Sequence, residues 1–165
     1  METAAERRRT GALKLHLPAR AELAFRQSLL ADEETMAYNH AWGGVISFPE
    51  EDWDDWYDRW IAKPDGRRYY RYLQDAEAGF VGEIAWHLDP ETGWALANVL
   101  IHAQYRGRGF GSRGLELLCA AAKEQGLSAL YDDIAADNPA RPLFLRHGFQ
   151  EIARTEEKII LKREL

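Results

Sequence analysis

Three glycines at alternate positions, Gly107, Gly109 and Gly111, interleave with Arg106, Arg108 and Phe110, and Ser112 closes the run. A β-branched apolar stretch, Val99 to Ile101, precedes them and a helical pattern follows. Glycine lets backbone approach a ligand because no Cβ stands in the way. A helix start offers unpaired N–H groups and the positive end of a dipole, which together hold phosphate oxygens. The two arginines add cationic donors. Proton transfer could come from carboxylates inside strand-like sequence, where they are unusual: Glu83 within Gly79–His87, and Asp132 and Asp133 within Ser128–Ala135. On strand parity Glu83 shares a face with Val81, Ala85 and His87. Each acid also has an ordinary reading as a solvated or hydrogen-bonded strand residue. His102 reads as a loop histidine more readily than as a base. Cys119, mid-helix among Leu117, Leu118 and Ala120, reads as a buried, inert thiol.

Two pieces of the chain together resemble the GNAT superfamily of acyl-CoA-dependent N-acetyltransferases. Arg106-x-x-Gly109-x-Gly111 matches its pyrophosphate loop, R/Q-x-x-G-x-G/A, and Asn138 with Gly148-Phe149 matches its downstream N…(Y)xxxGF signature. The close resemblance runs from about Gly93 to Phe149, and the N-terminal half fits in the order of its elements. The resemblance implies an α/β fold of mixed α+β type. Its central sheet is mostly antiparallel with a splayed parallel pair, and helices lie on both faces. It implies acetyl-CoA as co-substrate, a primary amine of a small molecule as acceptor, and no metal.

Residue by residue, the pantetheine arm would insert between the strands Trp94–Ala103 and Ser128–Ala135, pairing with backbone of Val99 and Ile101. The Ile101 N–H would polarise the thioester carbonyl. Pyrophosphate would rest on amides from Arg106 through Ser112, and Asn138 would bond the arm, beside its ordinary reading as a helix cap. The amine proton would go to Glu83 first, with Asp132 and Asp133 as rivals. One position departs: counting back from Gly148, Phe144 stands where the family often has a tyrosine that protonates the leaving thiolate, and phenylalanine has no such proton. That departure supports an alternative, a catalytically weak or inactive acyl-CoA-binding sensor of the same fold. A dinucleotide site is a poorer match, since Ser112 replaces the third glycine of G-x-G-x-x-G, and no Gly-Lys-Ser/Thr follows to make a P-loop.

The elements that must position these residues read in the order β-α-α-β-β-β-α-β-α-β-β. Leu13–Leu17 alternates as a first strand, and Ala19 to about Asn39 reads as helix, broken by His40–Gly44. A second helix opens at Phe48 with acids in its first turn, and Trp53, Trp56, Tyr57 and Trp60 fall on one face. The acids around it, with Asp32 to Glu34, read either as a cation-attracting pocket or as a solvated face over an aromatic core stripe. Tyr69–Leu73 and Gly79–His87 pair as antiparallel strands. The helix after the glycine loop runs to about Gln125, closed by Gly126. Asp137 or Asn138 caps a short helix ending at Gly148, and Ile159–Leu161 supplies final strand material.

The 165 residues suffice for one core-bearing domain over residues 11–165, with residues 1–10 expected as a disordered tail. Hydrophobic content of 46% with 29% charged is that of a globular chain, with no membrane span. A net charge of −6 argues against nucleic acid as partner. A single cysteine suits a reducing cytoplasm, and a monomer or homodimer is expected.

Overall fold

Alternating and continuous apolar runs become strands in the computed structural model, which describes residues 13–165; the expected tail lies outside them. In chain order the strands are β1 (Lys14–His16), β2 (Arg68–Asp75), β3 (Gly79–Leu88), β4 (Ala95–Ile101), β5 (Ala129–Ala135), β6 (Gln150–Arg154) and β7 (Lys158–Glu164). The α-helices are α1 (Leu23–Ala31), α2 (Trp53–Tyr57), α3 (Phe110–Glu124) and α4 (Arg141–Arg146). The order of strands and helices is the expected one.

The sheet runs β1-β2-β3-β4-β5-β7-β6, and every neighbouring pair is antiparallel except β4 with β5. That pair is parallel because α3 crosses over between its strands. It meets only where Leu96 faces Tyr131, and beyond that point the strands part. The expected α/β mixed sheet with one splayed parallel pair is therefore present.

Two cores form, one on each face. Leu115, Leu118, Cys119 and Ala122 of α3 are buried at i, i+3, i+4 and i+7, and pack with Ile84, Trp86 and, from α4, Phe144. A Cβ at Gly114 would come within 2.7 Å of Leu73 Cδ1, so glycine lets α3 lie close on β2. Gly126, at φ 87°, ends α3 in the left-handed region as expected. On the opposite face α1 and α2 pack Leu23, Leu29, Trp53 and Trp56 against Tyr70, Tyr72 and Ala85. Among the described residues no helix is long and apolar enough to cross a membrane.

Three local expectations need correction. The helix expected over Ala19–Asn39 stops at Ala31, because the Asp32 carboxylate accepts the Thr35 N–H at 3.0 Å and competes with helix continuation. A separate 3₁₀ stretch, Ala37–Trp42, then ends at Gly43. The second helix is likewise composite: a 3₁₀ turn at Glu50–Asp52, α2, and a wide π-type turn at Asp58–Ala62. Its Trp53 and Trp56 are core, while Glu50, Glu51, Asp54 and Asp55 are exposed. Finally, the β2–β3 register shifts between Leu73 and Gln74, which turns Val81 into the α3-side core and away from the face that Glu83 shares with Ala85.

Candidate active site

Past Leu96 and Tyr131 the parted strands open a cleft of about 970 Å³. The His102 N–H bonds the Val81 carbonyl of β3 at 2.9 Å. Alternation in an antiparallel ladder then turns the backbone groups of Val99 and Ile101 away from β3, toward the gap. Both residues border the cleft.

The glycine loop forms one end of it. Gly109 is the N-cap of α3 at φ 84°, a left-handed conformation that L side chains rarely adopt. The first helical bond runs from the Arg113 N–H to the Gly109 carbonyl, which leaves the amides of Phe110, Gly111 and Ser112 without an intrahelical acceptor. These residues and Gly107 all border the cleft. What the helix start can do is bind an anion.

The two arginines hold their guanidiniums away from the cleft. Arg106 borders the cleft, but its guanidinium turns back onto the carbonyls of Thr35 at 2.8 Å, Ile101 at 3.3 Å and Glu34 at 3.4 Å. With the Ala103 N–H bonded to Thr35 Oγ1 at 2.9 Å, it bolts the segment after α1 to the end of β4. Arg108 stands outside the cleft lining, its guanidinium 5.0 Å from the Phe110 ring centroid. Ser112 ends a chain of contacts that sequence reading missed. Its Oγ lies 2.6 Å from His147 Nε2, His147 Nδ1 is 2.7 Å from Glu116, and Glu116 meets Arg163 at 2.9 Å. Burial works to raise the Glu116 carboxyl, but Arg163 and His147 outweigh it and hold it below its ordinary value. Asn138 borders the cleft while its Oδ1 accepts the Ala140 N–H at 2.8 Å, shaping the turn into α4; Ala140 itself is the cap residue.

The three strand acids have three different surroundings. Glu83 is 2% exposed and does not border the cleft. Its oxygens are taken up by Arg26 at 3.0 and 3.2 Å, by Asn98 Nδ2 at 3.2 Å, and by the Tyr70 hydroxyl. Asn98, not Glu83, faces the cleft. Asp133 is exposed and ion-paired with Lys158 Nζ at 3.4 Å. Asp132 borders the cleft, and desolvation first, then the neighbouring Asp133 charge, push its carboxyl well above the carboxylate range. The acids therefore do not form one cluster.

Phe144 is 3% exposed at the cleft's edge, edge-on to Phe149 with ring centroids 5.0 Å apart. His102 accepts the Gln104 N–H at Nδ1, so it caps a turn. Tyr38, Asn39 and Trp42 also border the cleft and were not singled out in sequence. Asn98 carried a readable signal, an amide between Ala97 and Val99 in an otherwise apolar strand. Among the described residues no cluster of three or more His, Cys, Asp or Glu is placed to hold a metal ion.

Parted parallel strands beside a helix start with unbonded amides define a protein shaped for an extended ligand that carries an anionic group. The chain belongs to the acetyltransferase (GNAT) family, whose model matches residues 28–149. Its fold is shared with an acetyltransferase from Thermus thermophilus at 22% identity and TM-score 0.72, covering 94% of this chain and 99% of that one. It is shared also with spermidine N-acetyltransferase from Vibrio cholerae, solved with CoA and spermine. That match has 20% identity and TM-score 0.72, covering 92% of this chain and 95% of the other.

Proposed function

We propose that this protein moves an acetyl group from acetyl-CoA to a primary amine of a small molecule, by direct attack of the amine on the thioester. The observation that carries this reading is the parting of β4 and β5 beside the free amides of α3. An extended arm fits the gap as a surrogate strand against Val99 and Ile101, and pyrophosphate fits the amides of Phe110 to Ser112. The Ile101 N–H then polarises the thioester carbonyl. Asn138 borders the arm's path.

A direct route is supported by the state of Cys119. It is 3% exposed, and burial pushes its thiol up to about 11, which keeps it out of the nucleophilic thiolate form. The cleft lining favours an amine: Tyr38 and Trp42 offer aromatic faces that attract a cation, and the Asp132 and Asp133 carboxyls offer acceptors for N–H groups. The Vibrio cholerae neighbour is itself a polyamine acetyltransferase, in keeping with that choice. Thiol release from acetyl-CoA in the presence of polyamines, amino acids and aminoglycosides tests the proposal. Release that depends on one class of amine supports it. Tight acetyl-CoA binding with no release for any amine favours the sensor reading, for which the missing hydroxyl at Phe144 is the observation.

A further inference from the structure

The transfer needs a proton taken from nitrogen and a proton given to sulfur, and Phe144 can do neither. We propose that Asp132 does both, relaying the proton of the attacking nitrogen to the departing sulfur. The inference rests on the acetyl-transfer reading above.

Asp132 is the first residue of β5 past the Leu96–Tyr131 contact, so it stands where the strands begin to part. Strand alternation puts it on the face of β5 that carries Leu130 and Ile134, and these share one buried cluster with Phe144. It thus addresses the cleft from the same side of the sheet as a phenol at position 144. Among the described residues no other side chain pairs with its carboxyl, which accepts only the neighbouring Asp133 N–H. Asp133 is tied to Lys158, and Glu83 is enclosed by Arg26, Tyr70 and Asn98. Desolvation moves the Asp132 carboxyl up from its ordinary value, which makes it a stronger proton acceptor than an exposed aspartate. Tyr38 borders the cleft too, but burial pushes its phenol up to about 12. A thiol lies at roughly 8.5, so that phenol would donate to a thiolate only uphill.

The steps balance without a further reagent. An acceptor that arrives as ammonium first loses one proton to water. The nitrogen lone pair forms the C–N bond while the carbonyl π pair moves to oxygen. The Asp132 carboxylate takes an N–H proton. The oxygen pair then re-forms C=O, the C–S bond breaks with its pair on sulfur, and Asp132 returns the proton to that sulfur. Nitrogen and sulfur sit on the same carbon at that stage, so the two oxygens of one carboxyl can serve both. Amide and CoA thiol leave, and Asp132 is a carboxylate again.

Calorimetry with CoA and with desulfo-CoA, which lacks the sulfur, tests the placement without any acceptor. Wild type should bind CoA more tightly than desulfo-CoA, by roughly tenfold if the thiol bonds the Asp132 carboxyl. In Asp132→Ala the two ligands should bind alike, with desulfo-CoA affinity unchanged. With any amine that wild type turns over, Asp132→Asn should lower kcat by roughly 10²–10⁴ at nearly constant KM for acetyl-CoA. A sulfur-dependent affinity that survives in Asp132→Ala, or an unchanged kcat in Asp132→Asn, overturns the relay. If wild type binds neither ligand, the acetyl-CoA reading fails and takes the relay with it. Desulfo-CoA reports that case separately, because it has no sulfur for Asp132 to meet.

Discussion

The Arg26 guanidinium meets both oxygens of the Glu83 carboxylate, at 3.0 and 3.2 Å, across the interface between α1 and β3. Arg26 also lies over Trp56 at 4.7 Å and Phe48 at 5.0 Å, so its charge is held between aromatic faces and one carboxylate. This pairing joins the N-terminal helices to the strand that backs the cleft. It places Glu83 in the frame of the site, behind Asn98.

Glu83→Gln should therefore act first on stability. Removing one partner of a buried pair leaves the other charge uncompensated, at a cost of about 3–5 kcal/mol. Urea unfolding should show that loss, and Arg26→Met with Glu83→Leu should recover part of it. At a temperature where Glu83→Gln is folded, the acid limb of its pH–rate profile should match wild type. An unchanged urea midpoint, with loss of that limb, would instead make Glu83 the proton acceptor.

Asp132 should have the opposite effect on stability. Its folded carboxyl titrates above the unfolded value of roughly 3.9, so the folded chain keeps a proton that the unfolded chain has lost. The stabilising contribution is full below the unfolded value and is lost as pH rises through the folded one. Asp132→Asn removes that loss. Thermal melts should show the variant above wild type at pH 8, with the gap closing toward pH 4. Equal midpoints at pH 8 would mean that the cleft wall does not penalise the charge.

The order of strands and helices and the parallel pair could be read from sequence because their signals are local. Leu115, Leu118, Cys119 and Ala122 repeat with helical spacing, and Gly109 and Gly126 mark the two ends of α3. Cleft-lining positions were legible where backbone pattern marks them, as at Val99, Ile101, Gly107 and Gly109 to Ser112. Side-chain partners were not, because they come from far along the chain. Arg26 lies 57 residues before Glu83, and Thr35 lies 71 residues before the Arg106 that grips it. The register shift at Leu73/Gln74 also has no mark in the alternation around Val81. One shift of that kind exchanges faces, which is why parity misplaced Val81.

Gly109→Ala separates backbone strain from ligand approach. Gly109 sits at φ +84° and borders the cleft, so an added methyl stands in the loop that the pyrophosphate would approach. Forcing alanine into this conformation costs about 1–3 kcal/mol. Gly66 has φ +80° with nothing within 4 Å of where a Cβ would be, and it does not border the cleft. Gly66→Ala should lower the melting temperature by a similar amount and leave acetyl-CoA affinity alone. Gly109→Ala should lose affinity by more than its strain accounts for. Equal affinities in the two variants would move the pyrophosphate off the α3 start.

Phe144→Tyr asks what the missing hydroxyl is worth. Phe144 packs edge-on to Phe149 and borders the cleft, so a hydroxyl at its ring tip either reaches the cleft or is buried without a partner. The buried outcome costs about 1–3 kcal/mol and would show as a lower melting temperature. With Asp132 intact the relay already protonates sulfur, and the added phenol should change kcat by no more than about twofold. In the Asp132→Asn background the same change should raise kcat by about tenfold or more, because the phenol then supplies the proton that Asp132 no longer gives. Should Phe144→Tyr raise kcat strongly in wild type instead, thiolate departure limits the native reaction, and Asp132 does not deliver the proton.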